Sequence, residues 1–125
     1  MARSIYLTQA EPHAGKSVIA LGLVEELAQH VDRVGVFRPV SGDDGQDEVL
    51  NLLIERGGSG ITVEQATGVT SSDAYEDDAL AEILTRFREV EKLCDVVVVL
   101  GTDYNNVSTT SELAFNAKVA ANLGT

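Results

Sequence analysis

Lys16 and Ser17 follow Gly15 and close an eight-residue run from Ala10 whose pattern is Ala/Gly-x-x-x-x-Gly-Lys-Ser/Thr. Those types at that spacing suit one task, which is holding a phosphate. Successive backbone N–H groups curl around the anion, and the helix that follows adds its positive dipole end. Lys16 neutralises the outer oxygens and the Ser17 hydroxyl can ligate Mg²⁺. Gly15 lets the backbone approach without a Cβ in the way. His13 and Ala14 lie inside the same run, where His13 can reach a ligand edge or simply face water. A first-position alanine in place of glycine permits binding without helping it.

The run needs a strand before it and a helix after it. Ile5–Leu7 supplies a short apolar strand. Val18, Ile19, Leu23, Val24 and Leu27 recur at helical spacing and predict a helix over Lys16–Gln29. A second strand is expected at Arg33–Phe37, ended by Arg38-Pro39. Ser41–Gly45 reads as a loop, Gln46–Arg56 as a helix, and Gly57–Gly60 as its break. Residues 61–75 read as irregular, with at most a short helix near Val63–Ala66. Leu80, Ile83, Leu84, Phe87 and Val90 place a helix over Asp77–Lys92. Asp95–Leu100 is a buried strand, because Val96–Leu100 is apolar on both faces. A polar loop, Gly101–Thr110, leads to a helix over Ser111–Leu123 stopped by Gly124. Strand and helix alternate, so the expected fold is α/β: a P-loop NTPase-like parallel sheet flanked by helices.

Only three strands are evident, and a helix ended by glycine is normally followed by another strand. The expectation is a truncated fragment, the first part of a longer polypeptide. Its open edge or an apolar helix face would then promote association, as a homo-oligomer.

Composition narrows the function classes. The chain has 125 residues, one domain at most, and is 44% hydrophobic with a net charge of −11. Arg3, Lys16, Arg33 and Arg38 balance Glu11, Glu25, Glu26 and Asp32 in the first forty residues, so the acidic excess lies beyond them. Such a surface disfavours nucleic acid and anionic membranes. No apolar run approaches the ~20 residues of a membrane span, and no leader pattern opens the chain. A cytoplasmic location is expected. Cys94 is the single cysteine and reads as a small buried hydrophobe. His30 follows the first helix and reads as a partner of its negative end. Thr8, Tyr104, Asn105 and Asn106 fall after strands, on the side where such sheets bind ligands.

The segment Val36-Phe37-Arg38-Pro39-Val40-Ser41-Gly42 resembles the Lys-Pro-Val-type segment of the dethiobiotin synthetases. With the run at 10–17, the opening Ala2–Thr8, Gly101-Thr102-Asp103-Tyr104 and Glu112–Gly124, the chain is similar to one version of that domain in particular. It is the dethiobiotin-synthetase-like P-loop domain at the N-terminus of long bacterial phosphate acetyltransferases, especially the actinobacterial type. The resemblance spans nearly the whole chain and is weakest over 55–80.

It implies that residues 1–125 are part of a noncatalytic, regulatory nucleotide-binding-type domain. The whole protein would be an acyltransferase converting acetyl-CoA and phosphate to acetyl phosphate and CoA. That site would lie in a separate C-terminal domain, so this chain alone would be inactive. ATP or another nucleotide would be held by His13, Ala14, Gly15, Lys16, Ser17 and Arg38. Ser17, Asp47 and Asp103 would serve Mg²⁺.

Arg38 departs from the lysine of the synthetases, and Leu100 stands where a glutamate often precedes the glycine. Both count against synthetase chemistry, because arginine stays protonated near a substrate amine. An ATP-dependent dethiobiotin-type ligase is the alternative reading. A partition-type ATPase is a third, opposed by Glu11 where those proteins carry a second lysine.

Overall fold

The computed structural model describes residues 3–7, 16–41, 48–70, 78–101 and 117–124; the side chains of Lys16, Ser17 and Ser41 fall outside that description. The elements in order are β1 (Arg3–Leu7), α1 (Lys16–Ala28), β2 (Val34–Ser41), α2 (Glu48–Gly57), β3 (Thr67–Thr70), α3 (Ala79–Glu91) and β4 (Val96–Leu100). A last helix, α4, covers 117–123.

The strands form one sheet in the order β1-β4-β2-β3, and every pairing is parallel. The register sets Ile5 beside Val98 and Val98 beside Val36. Right-handed crossovers then dictate the layers. The steps from β1 to β2 and from β2 to β3 run in one direction, so α1 and α2 share a face. The step from β3 back to β4 reverses, and α3 covers the other face. Side chains agree. Arg56 of α2 reaches Glu25 of α1 at 3.3 Å, whereas Phe87 of α3 stacks on Phe37 of β2 at 5.6 Å between centroids.

The core lies where β4 runs between its neighbours. All five of its residues are buried, and Val97, Val98 and Val99 are completely so. Burial on both faces contributes about 1.5–3 kcal/mol per large aliphatic side chain, which explains the unbroken apolar run. At the amino end of the sheet the Asp95 carboxylate accepts from the Arg33 backbone N–H at 3.0 Å and from its guanidinium at 3.1 Å.

Three expectations are corrected. A fourth strand, β3, occupies part of the stretch read as irregular. It extends the sheet by pairing Arg38 with Thr67 and Val40 with Val69. Just before it, residues 63–66 turn once. Thr62 Oγ1 accepts from the Gln65 N–H at 3.1 Å, and Gln65 Oε1 accepts from the Thr62 N–H at 2.8 Å. That reciprocal pair is a capping box on a single turn.

Secondly, Pro39 does not end β2, which continues to Ser41. The β2–β4 ladder stops at Phe37–Val99, so the missing N–H of Pro39 falls past its last rung. The Pro39 carbonyl instead lies against Gly68, where a Cβ would sit 2.3 Å from its oxygen.

Thirdly, the buried side of α1 carries Ala20 and Val24, with Leu23 and Leu27 half-buried, while Val18 and Ile19 are 77% and 57% exposed. Gly124 does stop the last helix. Its φ is 76° and its N–H donates to the Ala120 carbonyl at 3.1 Å.

Candidate functional site

Because every strand is parallel, their carboxyl ends share one edge of the sheet. The Gly101 N–H donates to the Leu7 carbonyl at 2.7 Å and ties the exits of β4 and β1 together. The segments 8–15, 42–47, 71–77 and 102–116 each follow one of those strand ends. In open α/β sheets, ligands bind outside these ends.

α1 begins at Lys16 and Ser17, immediately after the glycine of the phosphate-type run. The first turn of a helix leaves backbone N–H groups without intrahelical partners. No acidic side chain stands in that turn, so the helix's own residues do not offset its positive end.

Arg38 lies in the carboxyl-terminal half of β2 and is 9% exposed, the buried charged side chain among the described residues. Its backbone N–H donates to Ala66 at 2.7 Å. Strand alternation assigns its face. Gly35 and Phe37 meet Cys94 and Phe87 on the α3 side, so Val34, Val36 and Arg38 face the α1–α2 layer. The start of α1 and Arg38 therefore share one face at one edge.

His13, Ala14, Gly15, Asp47 and Asp103 lie outside the described residues, as do Thr8, Tyr104, Asn105 and Asn106. Among the described residues no three His, Cys, Asp or Glu side chains group to hold a metal ion. Leu100 is 1% exposed, packed into the core at the end of β4.

Other chemistry-bearing groups play structural parts. Cys94 is buried, and burial pushes its thiol above the ordinary range, away from the reactive thiolate. His30 Nε2 lies 3.3 Å from Glu26 Oε1 on an exposed surface. A cleft of about 430 Å³ is lined by Gln65, Arg86, Glu89, Val90, Lys92 and Leu93. It lies by the carboxyl end of α3, away from the candidate edge. Its polar groups pair within the chain: Arg86 with Glu82 at 2.7 Å, and Lys92 with Glu89 at 3.4 Å. No described helix is long and apolar enough to cross a membrane.

Sequence reasoning missed the capping box at Thr62–Gln65, although the Thr-x-x-Gln spacing was there to read. It also missed the Arg33–Asp95 clasp, which joins residues far apart in the chain.

A parallel sheet with helices on both faces and a phosphate-type run ahead of α1 defines a P-loop NTPase-like α/β domain. An AAA domain family matches residues 3–125, and the chain belongs to that family. It is 31% identical over 134 aligned positions to a phosphate acetyltransferase of Nitratidesulfovibrio vulgaris, covering 99% of this chain and 19% of that protein. It is 27% identical to a phosphate acetyltransferase of Synechocystis sp., covering 96% and 19%. An ATP-dependent dethiobiotin synthetase of Sulfurovum sp. is 26% identical, covering 78% and 54%. The chain thus spans about a fifth of the length of the acetyltransferases it matches. The likeness read from residues 10–17 and 36–42, to the dethiobiotin-synthetase-like domain of phosphate acetyltransferases, is borne out by relatives of both kinds.

Proposed function

We propose that residues 1–125 belong to a regulatory, noncatalytic domain of a phosphate acetyltransferase, whose substrates are acetyl-CoA and phosphate. The observation that carries this reading is the asymmetry of coverage. Nearly all of this chain aligns with those enzymes, yet only 19% of their length is used. A domain that is a minor part of a longer enzyme suits an accessory role.

The ligand we assign to the carboxyl edge is ATP or a related nucleotide with Mg²⁺. The edge supports it, since the first turn of α1, which carries no acidic residue, and the buried Arg38 face the same side. A nucleotide would bring a polyphosphate for this positive end to bind. Lys16 would neutralise phosphate oxygens beside the backbone donors of residues 13–15, and Arg38 would hold a second anionic group. Ser17, Asp47 and Asp103 are hard oxygen donors of the kind Mg²⁺ takes. Assembly as a homo-oligomer is part of the same proposal.

Calorimetric titration of ATP, ADP and phosphate, with and without Mg²⁺, tests the site. Lys16→Ala should weaken binding by about 1.5–3 kcal/mol, the range for a hydrogen bond to a charged group. That is roughly tenfold to a hundredfold in affinity. Ser17→Ala should matter only with Mg²⁺ present. Absence of heat for every ligand at millimolar concentration would leave the run a relic. Acetyl phosphate formation by this chain alone would overturn the noncatalytic role.

The second reading, a dethiobiotin-synthetase-like ligase, draws support from the synthetase relative, which this chain covers over 54% of its length. Arg38 in place of lysine opposes it. ATP-dependent dethiobiotin formation by the purified protein would decide for the ligase.

A further inference from the structure

Arg38 sits where β2 changes neighbours. The β2–β4 ladder ends at Phe37–Val99, and the pairs that follow on β2 are with β3: Arg38–Thr67, Val40–Val69 and Ser41–Thr70. β3 is four half-buried residues at the edge of the sheet. The backbone that carries Arg38 toward the candidate edge is therefore held by a short strand, and whatever fixes the entry of that strand bears on Arg38.

The first rung comes from outside β3. The Arg38 N–H donates to the Ala66 carbonyl at 2.7 Å, and Ala66 belongs to the single turn ahead of the strand. The Ala66 N–H in its turn donates to the carbonyls of Thr62 at 3.0 Å and Val63 at 3.1 Å. The reciprocal Thr62–Gln65 bonds close this turn, and Thr67 Oγ1 donates to the Glu64 carbonyl at 3.2 Å. Ile61 and Ala66 are buried, whereas Thr62 and Gln65 are exposed. Truncating either polar side chain thus takes little packing away. It removes the bonds that set where the Ala66 carbonyl points. The register itself is fixed, because a one-residue slip would put Thr67 or Val69 at the place of Gly68, where a Cβ lies 2.3 Å from the Pro39 oxygen.

We propose that Thr62 and Gln65 are positioning residues for Arg38. By fixing the Ala66 carbonyl they fix the backbone from which the Arg38 guanidinium reaches an anionic group of the ligand. The assignment rests on the reading of Arg38 as an anion-holding residue. A guanidinium binds oxyanions through a directional fork of N–H donors, so a small rotation at the Arg38 backbone misplaces the fork and raises the cost of binding. Thr62 and Gln65 lie outside the segments that follow the strand ends, so neither has to touch the ligand to act on it.

The test is calorimetric titration of ATP with Mg²⁺ into the full-length protein. The variants are Thr62→Ala, Gln65→Ala, Thr62→Ser, Arg38→Ala and Thr62→Ala/Arg38→Ala. Thr62→Ala and Gln65→Ala should each weaken binding about threefold to tenfold, the affinity equivalent of losing a capping side chain. Thr62→Ser keeps the accepting hydroxyl and should bind as the wild type does. With Arg38 already replaced by alanine, Thr62→Ala should have no further effect, because the residue it positions is gone. Wild-type affinity in both Thr62→Ala and Gln65→Ala would overturn the proposal, and so would an undiminished effect of Thr62→Ala once Arg38 is removed; in either case weak binding by Arg38→Ala itself leaves the anion-holding reading in place. Unchanged binding by Arg38→Ala, or no heat from the wild type, would overturn that reading and the proposal with it.

Discussion

Replacing Gly35 by alanine should destabilise the domain, and removing the sulfur of Cys94 should restore much of the loss. A Cβ at position 35 would stand 2.3 Å from Cys94 Sγ, 3.1 Å from its Cβ and 3.5 Å from Val90 Cγ1. Carbon contacts are comfortable at about 3.5–4.0 Å, so the sulfur must retreat by more than an ångström. It has little room to do so. The Leu93 N–H is tied to Val90 at 3.0 Å and the Asp95 N–H to Arg33 at 2.8 Å, on either side of Cys94.

Overpacking of this kind costs about 1–3 kcal/mol. The stiffer unfolded chain of an alanine variant offsets about 0.4–1 kcal/mol where the backbone tolerates it. The expected net loss is about 1–2 kcal/mol. In Gly35→Ala/Cys94→Ala the closest contact left is the 3.1 Å one to Cβ, which a shift of a few tenths of an ångström relieves. The two changes should therefore couple favourably, by about 1 kcal/mol or more. Urea unfolding of the wild type, both single variants and the double variant completes the cycle, provided the m-values agree. Additivity within about 0.5 kcal/mol would refute the contact as the cause. The contact matters for the site because it seats the α3–β4 corner on β2, three residues before Arg38.

Phe87→Ala should cost about 3–5 kcal/mol, because a fully buried ring stacked on Phe37 leaves a cavity; a loss under ~1 kcal/mol in the same unfolding assay would contradict the packing. The Arg33 guanidinium holds the Asp95 carboxyl below the usual carboxylate range, first through their hydrogen bond. A depressed folded value means that this stabilisation is complete above the unfolded carboxylate pKa and is lost as pH falls through the folded one. Asp95→Asn should accordingly make stability less sensitive to acid, and unchanged acid limbs in thermal melts would count against the clasp.

The α/β class was legible because the apolar period switches between strand and helix along the chain. Val96–Leu100 announced a strand buried on both faces, and the run 10–17 announced a strand before it and a helix after it. Gly124 as a helix stop was legible for an equally local reason: only a residue free of a Cβ adopts positive φ without cost.

Other features depended on partners distant in sequence. β3 is four residues long and polar at its ends, and it exists because the far half of β2 offers it a ladder. Pro39 is a strand breaker in isolation. In the sheet its missing N–H falls beyond the β4 ladder, so nothing is lost there. The apolar pattern of α1 was visible in the sequence, but a helix apolar all round offers no local preference among its sides. The sheet and α2 chose Ala20 and Val24 for the core and left Ile19 outside. The sequence alone settles what local periodicity and backbone stereochemistry demand. Which face is buried, and where a short strand can pair, is decided only by the surfaces that meet when the chain folds.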